Sequence, residues 1–237
     1  MLGSGSAWPI PRLGCECEQC RSDDPRDARL RPSVLLDGRV LIDAGPDAYA
    51  QLRRAGTVPE AVLLTHAHHD HVLGLHDLAK LRRIPLHCTK EAEGDLRRIF
   101  GRLDFRVMHL TPGVRVELGE GLEAQAFDVE HDPKFRTVGF RVSDAGGKAL
   151  VYLPDLAERP SSKLAKRADL LMLDGAVRGE PRSGHMSIEQ GVELGRALGA
   201  GRTLFTHIGH RVGRHAELEA SLPEGCSVAH DGLEVEV

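Results

Sequence analysis

His66-Ala67-His68-His69-Asp70-His71 follows directly on the apolar run Ala61-Val62-Leu63-Leu64-Thr65. Six residues hold four imidazoles and one carboxylate, the ordinary ligands of zinc, manganese and iron in water. At the end of a buried strand, the alternate residues His66 and His68 are aimed at one point. Asp70 and His71, past the turn, reach a second point nearby. The loop reads as a holder for two divalent metal ions, zinc or manganese. A solvated polar turn is the blander alternative, but it leaves this ligand order after a strand unexplained. His69 is a bystander between ligands.

The composition excludes several classes. At 237 residues, the chain has room for one α/β domain with a large core. Apolar content of 41% and charged content of 28% are those of a soluble globular protein. A formal charge of −4 gives no support for a nucleic-acid surface. No apolar run approaches the ~20 residues of a membrane span. The first residues, Met1 to Ser6, carry no basic or apolar region of a signal peptide. Five cysteines, three of them at positions 15, 17 and 20, suit a reducing compartment and a metal better than disulfides, so the expected location is cytoplasmic. The oligomeric state is not fixed by the sequence, which is compatible with a homodimer.

Cys15-Glu16-Cys17-Glu18-Gln19-Cys20 has the thiolate spacing of a structural zinc knot that lacks its fourth ligand. His210, Cys226 and His230 are the candidates for that ligand. Gly3 to Ser6 reads as a turn, Leu2 as the remnant of a first strand, and Asp23 to Arg31 as a polar surface loop.

Asp37-Gly38 between Ser33–Leu36 and Arg39–Ile42 is a type I′ hairpin signal. Asp43, at the end of the second strand, either braces a metal-binding histidine or caps the helix expected over 47–55. An apolar stripe through Val72, Leu75, Leu78, Ala79 and Leu81 predicts a helix over 72–83, and a second helix is expected over 91–100. Leu86 to Cys88 is a short strand. From Phe105 to Val151 the apolar period shifts towards two, giving strands near 114–118, 124–129, 138–142 and 149–153. Two of these lead into further ligand candidates, His131 and Asp155. A strand over 168–173 is followed by a loop presenting His185, and Ser187 to Gln190 forms a capping box for a helix to Leu198. Thr203 to Thr206 precedes His207. A helix over 216–222 and strands at 227–229 and 233–235 complete the pattern. Two halves of strands followed by helices suit a four-layer αββα sandwich, one α/β domain over 1–237 with the knot loop at 14–21.

His66-x-His68-x-Asp70-His71, then His131, Asp155 and His207, each after a strand, resemble the metallo-β-lactamase superfamily across nearly the whole chain. The Cys15-x-Cys17-x-x-Cys20 loop, Thr206-His207-Ile208-Gly209-His210 and Asp231-Gly232-Leu233-Glu234 are similar to the phosphodiesterases of the phosphonate (C–P lyase) pathway. The resemblance implies one metal on His66, His68 and His131, a second on Asp70, His71 and His207, and Asp155 bridging both. It implies that His210 completes the structural zinc. It also sets His185, in Gly184-His185-Met186-Ser187, at the position of a general acid or phosphate clamp. Leu153-Pro154-Asp155-Leu156 departs from those enzymes, which usually have a small hydroxyl residue after the aspartate. That segment resembles the B protein of pyrroloquinoline quinone (PQQ) biosynthesis, a family with a degraded metal loop. The loop here is intact.

The expected activity is that of a binuclear phosphodiesterase on a small cyclic or nucleotide-like phosphodiester, with Asp70 and His185 as the catalytic pair. Rival readings are a PQQ-B-like oxidative or accessory protein, a glyoxalase-type thioester hydrolase and an RNA-processing nuclease, the last with no room for its usual exosite arm. The metal set does not choose among them.

Overall fold

The Asp37-Gly38 pair makes the expected turn: both residues have positive φ (47° and 69°), and the Arg39 N–H donates to Leu36 O at 2.9 Å. It joins β1 (Val34–Leu36) to β2 (Val40–Ile42) antiparallel, with Leu35 opposite Leu41. β3 (Ala61–Leu63), β4 (Pro85–Cys88) and β5 (Arg106–His109) follow as parallel neighbours, so the first sheet is ordered β1-β2-β3-β4-β5. The computed structural model describes residues 1–79, 84–102, 104–182 and 184–237.

The second sheet takes β6 (Arg115–Glu117), β7 (Glu123–Val129), β8 (Thr137–Ser143) and β9 (Ala149–Leu153) as antiparallel neighbours. β10 (Leu170–Asp174), β11 (Arg202–Thr206) and β12 (Cys226–Val228) then add in parallel, giving the order β12-β11-β10-β9-β8-β7-β6. β7, β9, β10 and β11 therefore all point the same way, and their last residues share one edge.

Strand alternation builds the layers. Val40, Ile42, Phe140, Tyr152, Leu170 and Met172 point between the sheets into one core. Leu41, Val62 and Leu86 face the opposite way, against α1 (Ala48–Ala55), α3 (Leu75–Leu78) and α4 (Lys90–Phe100), with α2 (His69–Val72) inside the histidine loop. Val151, Leu171, Leu173 and Phe205 face α5 (Ile188–Leu198) and α6 (His215–Ser221). The result is the expected four-layer αββα sandwich. Among the described residues, no helix is long and apolar enough to cross a membrane.

Four local expectations fail for physical reasons. The helix expected over 72–83 is broken into α2 and α3. The His71 carbonyl accepts from the Ala44 N–H (2.8 Å), and Gly74 presses so close to Gly45 that a Cβ would sit 2.1 Å from its carbonyl oxygen. Residues 80–83 lie outside the described residues. Gly3 to Ser6 is extended rather than a turn, bridging Ser33 on one side and Ile208 on the other. Residues 233–235 form no strand, because the Met1 ammonium donates to Leu233 O (2.8 Å) and holds that segment off the sheet.

The fourth failure is the supposed surface loop 23–31, which buries Asp27 and Arg29. The Arg29 guanidinium donates to Ser4 Oγ (2.8 Å), to the Ala229 carbonyl and to His215 Nδ1 (3.1 Å). Asp27 accepts the His215 N–H at 2.6 Å, capping α6 from outside the helix. An Nδ1 that accepts from a guanidinium must be bare, so His215 is neutral. Burial, then Arg29, Arg26 and His230, push it down to about 4, against the pull of Asp24. The folded form thus binds fewer protons than the unfolded chain between about pH 6.5 and 4. The stabilisation is present above that window and lost as pH falls through it. Urea titrations from pH 7 to 4 are expected to show His215→Gln losing less stability than the parent; identical slopes would refute the neutral-histidine assignment.

Candidate metal centre

β3 ends by handing Thr65 and His66 to the edge of the sandwich, and a cross-sheet bond from the Val138 N–H to Thr65 O (3.0 Å) draws the second sheet alongside. Asp43, which follows β2, is fully buried at φ 60°. Its carboxylate accepts from the Thr65 N–H (2.9 Å), the Thr65 hydroxyl (2.9 Å) and His71 Nδ1–H (2.8 Å). With its proton committed to Asp43, the Thr65 hydroxyl accepts from His66 Nδ1–H at 2.9 Å. Both tautomers follow from this chain. Nε2 of His66 and of His71 is turned inward with no hydrogen-bond partner. Asp43 is therefore a brace, not a helix cap; α1 begins after Asp47, which binds Arg31 instead.

His68 is fixed from the other side. Its Nε2–H donates to Asp132 Oδ2 (3.2 Å), and His131 Nδ1–H donates to the Gly184 carbonyl (2.7 Å). Gly184 has φ 84°, and a Cβ there would meet the His131 ring at 3.1 Å. With both rings neutral, His68 Nδ1 and His131 Nε2 then face one another 3.2 Å apart as two lone pairs. Two lone pairs at that distance repel unless a cation lies between. His66 Nε2 belongs to the same group of donor atoms, all within 4.8 Å of one another, and has no hydrogen-bond partner of its own.

Asp70, His71 and His207 form an adjoining group. Asp70 Oδ2 lies 3.3 Å from His71 Nε2 and 3.4 Å from His207 Nε2. Asp155, following β9, reaches both groups: its oxygens are 3.1 Å from His71 Nε2, 3.4 Å from His207 Nε2 and 3.6 Å from His131 Nε2. His71 Nε2 and Asp155 Oδ2 are close yet poorly aligned for a hydrogen bond, as they would be if both pointed at a third atom. Burial would push the His71 imidazole down, but Asp70, Asp43 and Asp155 outweigh it and push it well up. Three carboxylates around a buried group call for positive charge, and divalent cations would supply it in place of a proton. Asp155, opposed by burial but favoured by His207 and His71, is held well below the usual carboxylate range and is ionised, as a ligand must be. The residues fit two metals.

His185 joins this cluster. Its Nδ1–H donates to Asp174 Oδ2 (2.7 Å), and Nδ1 is 3.9 Å from Asp155 Oδ1. Its ring stacks on His207 with centroids 5.5 Å apart. Asp174, at the end of β10, is itself fixed by the N–H groups of Leu156 (3.0 Å) and Ala176 (2.9 Å). Ser187, not His185, caps α5, through the expected box with Gln190. His69 is exposed, as a bystander should be.

The knot also assembles. Cys15, Cys17 and Cys20 place their Sγ atoms 3.3, 3.3 and 3.1 Å from His210 Nε2. Three sulfurs around one imidazole nitrogen is the donor set of a tetrahedral zinc site. The other two candidates lie elsewhere: Cys226 starts β12, and the His230 ring packs edge-on to His215.

Sequence reasoning missed Thr65 and Asp132 as partners of candidate ligands and Asp174 as the partner of His185. Asp174 ends a buried strand beside β9 and β11, which was the available signal; Asp132 and Thr65 adjoin a ligand and nothing more.

Residues 38–208 match the beta-lactamase superfamily domain. A crystal structure described as a new diphosphatase from the PhnP family is 34% identical, with a TM-score of 0.88 and coverage of 98% of this chain and 93% of that one. The Zn2+-bound PqqB of Methylobacterium extorquens is 25% identical, with a TM-score of 0.80 and coverage of 100% and 98%. An octanoyltransferase of Porphyromonas gingivalis is 28% identical over 99% of this chain, which spans only 50% of that protein's length. With the αββα layers and the clustered histidines and aspartates on one edge, these matches have one meaning: the chain belongs to the beta-lactamase superfamily.

Proposed function

We propose that this chain is a binuclear metal-dependent phosphodiesterase acting on a small cyclic or nucleotide-like phosphodiester. The observation that carries the reading is the pair of adjoining donor groups joined by Asp155, with the buried Nε2 atoms of His66 and His71 left without a hydrogen-bond partner, one in each group. Likeness to a PhnP-family diphosphatase over nearly the full length supports a phosphorus–oxygen bond as the one broken. Zinc or manganese bound there would supply Lewis acidity to a phosphoryl oxygen and to the attacking water.

The chain's own residues do the rest. Asp43, Thr65, Asp132 and Gly184 each accept from the outer nitrogen of a ring, so the other nitrogen turns inward, where a cation would take it. Asp155 and the bracing aspartates offset the charge of the cations. His185 commits Nδ1 to Asp174 and keeps Nε2 for the substrate, where it protonates the departing oxygen. A role like that of PqqB is the second reading, favoured by full-length likeness and by Pro154-Asp155-Leu156. An oxidative role of that kind would favour a single iron; since the PqqB structure itself holds Zn2+, the diester assay under zinc and manganese, together with metal analysis of anaerobically purified protein, separates the two readings.

Asp70→Ala is expected to abolish hydrolysis of bis(p-nitrophenyl) phosphate. His185→Ala should cut kcat by about 10²–10⁴-fold while leaving the active-site metal content intact. Full metal loading with no diester hydrolysis, under zinc or manganese, would sink the proposal. The knot, read as a structural zinc site, predicts that Cys20→Ser loses one zinc per chain and melts several degrees lower by calorimetry. An unchanged zinc count would show that Cys20 holds none.

A further inference from the structure

Beside the metal centre lies a groove of about 460 Å³ with Trp8, Leu73, Phe135 and Pro46 on its walls and His68 and Asp70 at its inner side. Trp8 is 63% exposed and Leu73 38% exposed, an unusual state for large apolar side chains that line one concavity. Phe135 packs edge-on against the His68 ring with centroids 4.7 Å apart, so the apolar wall runs without a break to a metal-ligand candidate. The loop bearing Trp8 is pinned on both sides. The Ser6 N–H donates to Ile208 O (3.1 Å), Arg31 Nε–H to Ala7 O (3.1 Å) and the Ile10 N–H to Arg29 O (2.9 Å). Trp8 thus presents its indole to solvent from a fixed backbone. Arg31 also lines the groove, but Asp47 engages its guanidinium at 3.2 Å, so the groove is not a second phosphate site.

We propose that this groove seats the planar heterocycle of a nucleotide substrate, with the base stacked on Trp8 and its phosphate directed inward past Asp70. The proposal rests on the phosphodiesterase reading and narrows its substrate class. The volume is within the range of small-molecule sites, and aromatic faces accept bases without regard to their hydrogen-bonding edges. Trp8 is therefore a specificity residue that tolerates different bases.

Trp8 is the only tryptophan in the chain, so its emission reports on this groove alone. In the metal-loaded protein, adenosine 5′-monophosphate is expected to quench that emission saturably, and ribose 5-phosphate to leave it unchanged. Equal responses to both, or none to either, would overturn the proposal. In kinetics, Trp8→Leu should raise KM for adenosine 2′,3′-cyclic phosphate about tenfold. KM for ribose 2,3-cyclic phosphate should not change, and kcat should stay within about twofold for both. Turnover with no dependence on the base or on Trp8 refutes the groove and leaves the phosphodiesterase reading standing. Quenching by the nucleotide without turnover of either cyclic phosphate supports the groove and refutes the phosphodiesterase.

Discussion

A carboxylate with no exposure to water, Asp43, sets the geometry on which the centre depends. Burying an ionised group is costly unless it is fully hydrogen-bonded, and Asp43 meets that condition with the Thr65 N–H, the Thr65 hydroxyl and His71 Nδ1–H. Each bond also does something else. The first joins the ends of β2 and β3, the second makes Thr65 an acceptor for His66, and the third fixes His71. Which nitrogens face the centre is thereby decided before any metal arrives. The φ of 60° at Asp43 is a strained backbone for a non-glycine residue, and it is tolerated where three bonds hold the side chain in place.

The layers were legible in the sequence because strand alternation is a local signal. Leu170 and Met172 point one way and Leu171 and Leu173 the other, and the pattern needs no knowledge of the neighbours. The candidate ligands His66, His131, Asp155 and His207 stand out in the sequence because each comes soon after a strand, and the structure brings these strand ends to one edge. What failed involves partners distant in sequence. Nothing in Asp23 to Arg31 announces that Arg29 will be enclosed by Ser4, Ala229 and His215, residues 25 to 200 positions away. The break in the helix over 72–83 comes from Ala44 and Gly45, on another segment. Asp132 was hidden differently. An aspartate beside a ligand histidine is unremarkable, and only the fold shows that it serves His68 instead.

The start of the chain is woven into the site rather than placed beside it. Ser4 O accepts the Ile208 N–H at 2.7 Å, next to His207, and Asp231 clasps both the Ser4 backbone and hydroxyl at 2.8 Å. Gly3 and Gly5 allow this: a Cβ on Gly3 would lie 1.9 Å from Arg31 O, and one on Gly5 2.9 Å from Leu30 O. The Cys15–Cys20 knot then closes on His210, three residues past His207. The last ligand loop is held on two sides by the segment that precedes the first strand.

That same segment carries Trp8, and this divides the labour of the site. On the proposed reading the histidines and aspartates at the strand ends supply the chemistry, and their bracing hydrogen bonds leave them little freedom to vary. On the same reading substrate choice falls to whatever lines the approach, and on one side that is a loop pinned at Ser6 and Ile10 that carries an exposed indole. Changing residue 8 alters the wall of the groove without disturbing Asp43, Asp132 or Asp174. A fold arranged in this way could keep one metal centre while its substrates change, which is why fold alone does not name the reaction and why the residues around the groove must.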